Sequence, residues 1–135
     1  MEPLALTKII AEDVGRPRDD GTPGSALYEV PIGLNRAPDP IERQLLVRHW
    51  DLPPQFTTMH RPGTMSVGSD RVVLRRTTVD EVERVHAKTL RLVLAQTNKD
   101  ADAIRAEQAV RAAEQDRRHQ EHADHVREVA DRTEF

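Results

Sequence analysis

All nine prolines and all six glycines of this chain lie between Pro3 and Gly68, so the 67 residues from Ser69 to Phe135 contain no strong helix breaker. Proline removes a backbone donor and glycine loosens the chain, so both punctuate structure wherever they fall. The distribution predicts two materials joined end to end: short, frequently turned elements first, then a long helix.

Only the first of these can build a core. Leu, Ile, Val and Phe supply 26 of the 97 residues from Met1 to Thr97 but 5 of the 38 from Asn98 to Phe135. The second share lies below the roughly 20% at which a chain stops burying enough apolar surface to order itself. The expected organisation is therefore a compact domain over residues 1–97 and a charged helical arm over 98–135. The net charge of −3 resides in the arm, which holds 7 Lys and Arg against 10 Asp and Glu, while the body is balanced at 13 each. Neither a polyanion nor an anionic membrane has an evident attraction to such a molecule. Arg outnumbers Lys 17 to 3, which coding bias explains as well as guanidinium recognition does.

Cysteine is absent, which excludes disulfides, thiolate metal sites and cysteine nucleophiles. No basic segment followed by an apolar run opens the chain, and no apolar stretch approaches bilayer length, so a soluble cytoplasmic protein is expected.

Along the body, Ala5 to Ala11 reads as a strand, and Asp13 to Ser25, with three Gly, two Pro and three Asp, as a loop. Ala26 to Leu34 alternates cleanly, its Ala26, Tyr28, Val30, Ile32 and Leu34 on one face. Pro31 within it argues for a sheet edge, or for a Pro31 side turned away from any neighbour. Asp39, Pro40 and Glu42 form the capping signature of a helix to about Trp50 that ends before Pro53 and Pro54, with Ile41, Leu45 and His49 on its inner stripe. Phe56 to His60, Thr64 to Val67 and Arg71 to Arg75 read as three further strands. Thr78 with Glu81 forms a second capping box ahead of the run Val79, Val82, Val85, His86, Thr89, Leu90, Leu92 and Val93. Glu81, Arg84, Lys88 and Arg91 then make its wet face. The fold class is α+β: a small mixed sheet of about five short strands, one short helix and one long C-terminal helix extending as the arm. One helix from Thr78 to Arg132 would run about 80 Å, so much of it would project, fold back near Asn98 or pack on another chain.

The chemical candidates are sparse. His49, Asp51, His60 and Arg61 are close enough in sequence for a ligand pocket or an acid/base pair, although their spacing matches no template; structural roles for both imidazoles are the simpler reading. Arg61, Arg71, Arg75 and Arg76 suggest a modest basic patch for nucleic acid. The acidic residues beside it and the lack of stacking aromatics favour a surface ion-pair network instead. His119, His122 and His125 drift around a helix at three-residue steps and cannot close a metal shell. No cofactor or metal site is expected.

The arm carries the remaining signal. Glu107 with Arg111, Glu114 with Arg118 and Glu128 with Arg132 are i, i+4 pairs in the favourable order, each contributing roughly 0.2–0.5 kcal/mol. Ala109, Ala112, Asp116, His119, Ala123, Val126 and Ala130 recur at alternating three- and four-residue steps, the spacing of a coiled-coil seam. A helix this poor in apolar residues, yet free of breakers, suggests order gained in association. The expected function is a non-enzymatic interaction or assembly protein whose partner is another protein or a second copy of itself, with a small enzyme or ligand binder, and then a nucleic-acid accessory protein, as alternatives.

Overall fold

In a computed structural model that describes residues 2–135, the chain is α+β. The elements are β1 (Leu6–Ile9), a 3-10 turn (Ala11–Asp13), β2 (Tyr28–Leu34), α1 (Pro40–Asp51), β3 (Met65–Val67), β4 (Arg71–Thr77) and a helical run α2. That run opens with one α turn (Val79–Glu81), continues through a π turn (Val82–His86) and ends as an α-helix (Ala87–Arg132). By their contacts the residues form two units, Met1–Ala101 and Asp102–Phe135.

The sheet has four strands in the order β1-β2-β4-β3, and every neighbouring pair is antiparallel, so it is neither five-stranded nor mixed. The missing strand is Phe56 to His60. Pro53, Pro54 and Pro62 bracket that stretch and cannot donate to a ladder, and Phe56 stays 62% exposed in the connection between α1 and β3.

Pro31 sits in an inner strand, contrary to an edge placement, and the ladder is arranged around it. Leu34 N–H donates to Asp70 O, so by alternation Val30, Ile32 and Leu34 bond β4 while Pro31 and Gly33 face β1. Pro31 O accepts from Ile10 N, but Pro31 has no N–H to return. The carbonyl of Ile10 takes the N–H of Asp13 instead, at 3.0 Å, and that bond starts the 3-10 turn. The missing donor therefore decides where β1 ends. Pairing with β2 resumes at Gly15, whose N–H reaches Glu29 O at 2.8 Å.

Helix α1 begins as its sequence dictates. Asp39 Oδ1 accepts from Glu42 N–H, Glu42 Oε1 accepts from Asp39 N–H, and Pro40 occupies the first turn. Glu42 is completely buried because its carboxylate also forks onto Arg36 at 2.6 and 2.7 Å. Leu46 and Trp50 turn inward from α1 and join Val30, Ile32, Val72 and Leu74 from the sheet with Val82, Leu90 and Val93 from α2 in one core.

The second capping box is half made. Thr78 Oγ1 accepts from Glu81 N–H, but the Glu81 side chain is buried rather than on the wet face and bonds elsewhere. The π turn explains the change, since one extra residue in a turn rotates everything before it relative to everything after. Glu81 and Val82 thereby share the inner face with His86, Leu90, Val93, Leu94, Thr97 and Ala101, all of them buried. The helix continues through Asn98 without a break, and Asn98 clamps the backbone of Leu4: Leu4 N–H donates to Oδ1 at 2.9 Å and Nδ2 donates to Leu4 O at 3.0 Å.

In the second unit, every residue from Ala106 to Glu128 is exposed. Its surface carries the i, i+4 pairs Glu107 with Arg111 at 2.5 Å, Glu114 with Arg118 at 2.8 Å, Arg117 with Glu121 at 3.0 Å and Glu128 with Arg132 at 3.7 Å. No helix among the described residues is long and apolar enough to cross a membrane.

Candidate functional site

The first group of candidates divides among separate tasks. His49 Nε2 lies 2.8 Å from Asp100 Oδ2, joining α1 to α2. Asp51 Oδ1 accepts from Gly63 N–H at 2.8 Å and fixes the turn before β3. His60 packs its ring on Trp50, with centroids 4.7 Å apart, and meets Phe56 edge-on at 5.7 Å. Arg61 reaches inward to Glu81 and also donates from Nη1 to Arg76 O at 3.1 Å. Each of the four side chains is thus engaged in a different contact of the fold.

What does converge is a polar cluster that sequence reasoning did not assemble. Glu81 accepts from Arg61 and, at 2.8 Å, from His86 Nε2. His86, only 2% exposed, meets Trp50 edge-on at 5.4 Å. Trp50 Nε1 donates to Thr64 Oγ1 at 3.2 Å and lies 3.3 Å from Arg61 O. Burial alone would raise the Glu81 carboxyl, but the hydrogen bonds from Arg61 and His86 outweigh it and hold the group below the ordinary glutamate value. Burial lowers His60, and the neighbouring His86 adds to the effect, which favours the neutral ring. Among the described residues, both ring nitrogens of His60 and Nδ1 of His86 are buried without a hydrogen-bond partner.

A carboxylate aligned on an imidazole is the arrangement that orients a general base. Here the imidazole has almost no exposed surface, so the cluster's evident effect is mechanical: it fastens the loop between α1 and β3 onto the first turns of α2. The sequence signal for it was a histidine inside an apolar helical run, five residues after a glutamate.

The arginine group divides too. Arg71 is held by Asp13 at 2.6 Å and Asp70 at 3.1 Å, bonds that raise its guanidinium further above its ordinary value. Arg75 and Arg76 line a cleft of about 720 Å³ with Arg18, Glu29 and the Pro62–Thr64 turn. Among the described residues no group of three or more His, Cys, Asp or Glu side chains is placed to hold a metal ion.

In the second unit, Ala109, Ala112, Asp116, His119, Ala123, Val126 and Ala130 are all exposed on one continuous helix. Val126 is 51% exposed and Val110 68%. No protein-family model, no curated protein and no solved structure matches this chain.

Proposed function

We propose that this protein is a non-enzymatic assembly module in which the compact unit docks a larger partner and the charged helix pairs with a second copy of itself. The observation that carries this reading is the uninterrupted stretch from Ala106 to Glu128, which is helical although every residue in it is exposed. Isolated helices with so little apolar surface are marginal in water, and packing against a neighbour is the usual source of their stability.

The seam favours an antiparallel pair. Setting Ala109 opposite Val126 of a second copy places Ala112 opposite Ala123 and Asp116 opposite His119, because the numbers in each pair sum to 235. All three layers recur by symmetry, as a two-fold interface requires. Alanines let the helices approach closely, Val126 fills the space beside Ala109, and the two polar seam residues answer each other instead of meeting their own kind.

Light scattering across a concentration series tests the reading. The full chain should exceed the monomer mass, and Ala123→Asp with Val126→Asp should return it to monomer while the circular dichroism of the compact unit is retained. A full chain that remains monomeric from mildly acidic to neutral pH at every concentration removes the self-pairing role.

A further inference from the structure

We infer that the cleft between the Pro17–Ser25 loop and the Arg75–Arg76 bulge is a binding site for a phosphate monoester carried on a small polyhydroxylated molecule. The bulge makes the site possible. Tyr28 pairs with Thr77 and Val30 with Leu74, so Glu29 alone faces both Arg75 and Arg76. Consecutive strand residues point to opposite faces, and an extra residue at a bulge re-aims one of them. Arg76 takes up that extra position at φ 54°, a left-handed conformation uncommon for a residue with a side chain. Both arginines thereby line one cleft. Backbone held in such a conformation is characteristic of places where a side chain is aimed for use.

The third guanidinium comes from a loop closed on itself. Arg18 N–H and Asp19 N–H both donate to Ser25 O, at 2.8 and 3.1 Å, and Ser25 is buried. Arg75 is braced by its Nη2 bond to Gly63 O at 2.8 Å, while the guanidiniums of Arg18 and Arg76 have no hydrogen-bond or ion-pair partner among the described residues. Against these three cations the lining holds one carboxylate, Glu29, which leaves a balance of +2. A phosphate monoester carries about −1.5 to −2 at neutral pH, so it matches this charge better than a carboxylate does. The planar fork of arginine suits its oxygens. Glu29 then serves as an acceptor for hydroxyl groups. Tyr28, the aromatic residue of the lining, packs against the core and its hydroxyl accepts from Val79 N–H at 3.1 Å, which leaves it poorly placed to stack a strand of bases. A volume of about 720 Å³ suits a small ligand.

Calorimetric titration with ribose 5-phosphate, ribose, inorganic phosphate and a 5′-phosphorylated single-stranded oligonucleotide tests the assignment. Ribose 5-phosphate is expected to bind at least about tenfold more tightly than ribose or inorganic phosphate. Arg18→Gln and Arg76→Gly should each weaken it about tenfold or more, since a charge-assisted bond to an ionised group contributes about that factor. Glycine tolerates the left-handed backbone at position 76, and Arg18 lies in an exposed loop, so both variants should keep the native circular dichroism. Glu29→Gln should narrow the margin of ribose 5-phosphate over inorganic phosphate. No heat of binding with ribose 5-phosphate at about 10 mM, or unchanged affinity in both arginine variants, overturns the site. Tighter binding of the oligonucleotide than of ribose 5-phosphate overturns the small-molecule assignment.

Discussion

His86 Nε2 lies 2.8 Å from Glu81 Oε1 although the two residues are five positions apart, a separation that places side chains on different faces of a regular α-helix. The π turn over Val82–His86 brings them onto one face. Its further effect is to bind Arg61, and with it the loop from Leu52 to Thr64, to the helix instead of to solvent.

Stability should fall in two steps on acidification. His60 has a folded value below its ordinary 6.5, so the unfolded chain binds more protons just below that pH, and stability drops from about pH 6.5 down to the folded value. Glu81 has a folded value below its ordinary 4.5, so its contribution is complete above 4.5 and disappears as pH falls through the lowered value. Urea midpoints measured between pH 3 and 8 check both limbs. His60→Phe should flatten the upper limb and Glu81→Gln the lower; a wild-type profile without either limb contradicts the assignment.

Leu90→Ala should destabilise the compact unit by about 2–5 kcal/mol, because Leu90 is 1% exposed and stands where α2 meets the sheet. Equilibrium denaturation reads the loss directly. Leu92, three positions later in the apolar run than Thr89 but only half-buried, should lose clearly less on the same change.

A chain truncated after Ala101 should keep a cooperative thermal transition, because every core residue is retained. Ending instead at Thr97 removes the Asn98 clamp on Leu4 and the Asp100 partner of His49. The shorter form should be less stable by about 1–3 kcal/mol, the sum expected for a few hydrogen bonds. Equal stability of the two forms would place the end of the unit at Thr97.

Arg76→Gly should raise the stability of the ligand-free protein by about 1 kcal/mol, since φ 54° strains any residue with a Cβ and glycine adopts it freely. A lowered melting temperature would show that contacts of the arginine outweigh the strain.

What could be read without coordinates depended on whether a residue acts locally. Asp39, Pro40 and Glu42 announce α1 because capping is settled within four residues, and the alternation of β2 and β4 reflects a single buried face. Phe56 to His60 misled because weak alternation says nothing about neighbours, and the prolines around it rule out ladder bonds. Pro31 was legible as a missing donor, but not as a residue whose missing donor is absorbed by a 3-10 turn from another element. The π turn and the Arg76 bulge left no mark, since each is one extra residue whose place is settled only by pairing with distant parts of the chain, Arg61 for Glu81 and β2 for Arg76. In the candidate site, Arg75 and Arg76 were visible as charges, while Arg18 joins them only through the folding of its loop.

The clamp between Leu4 and Asn98 spans 94 positions of sequence. Asn35 secures the residues on either side of Leu4 much earlier, donating to Pro3 O and accepting from Ala5 N–H. Leu4 itself, 3% exposed once folded, has to wait for Asn98. At roughly 5–20 residues per second of synthesis, that wait is about 5–20 seconds. During that interval the backbone of Leu4 has no partner of its own to hold it, so the contact that fastens the start of the chain to α2 depends on how quickly the ribosome reads through to Asn98.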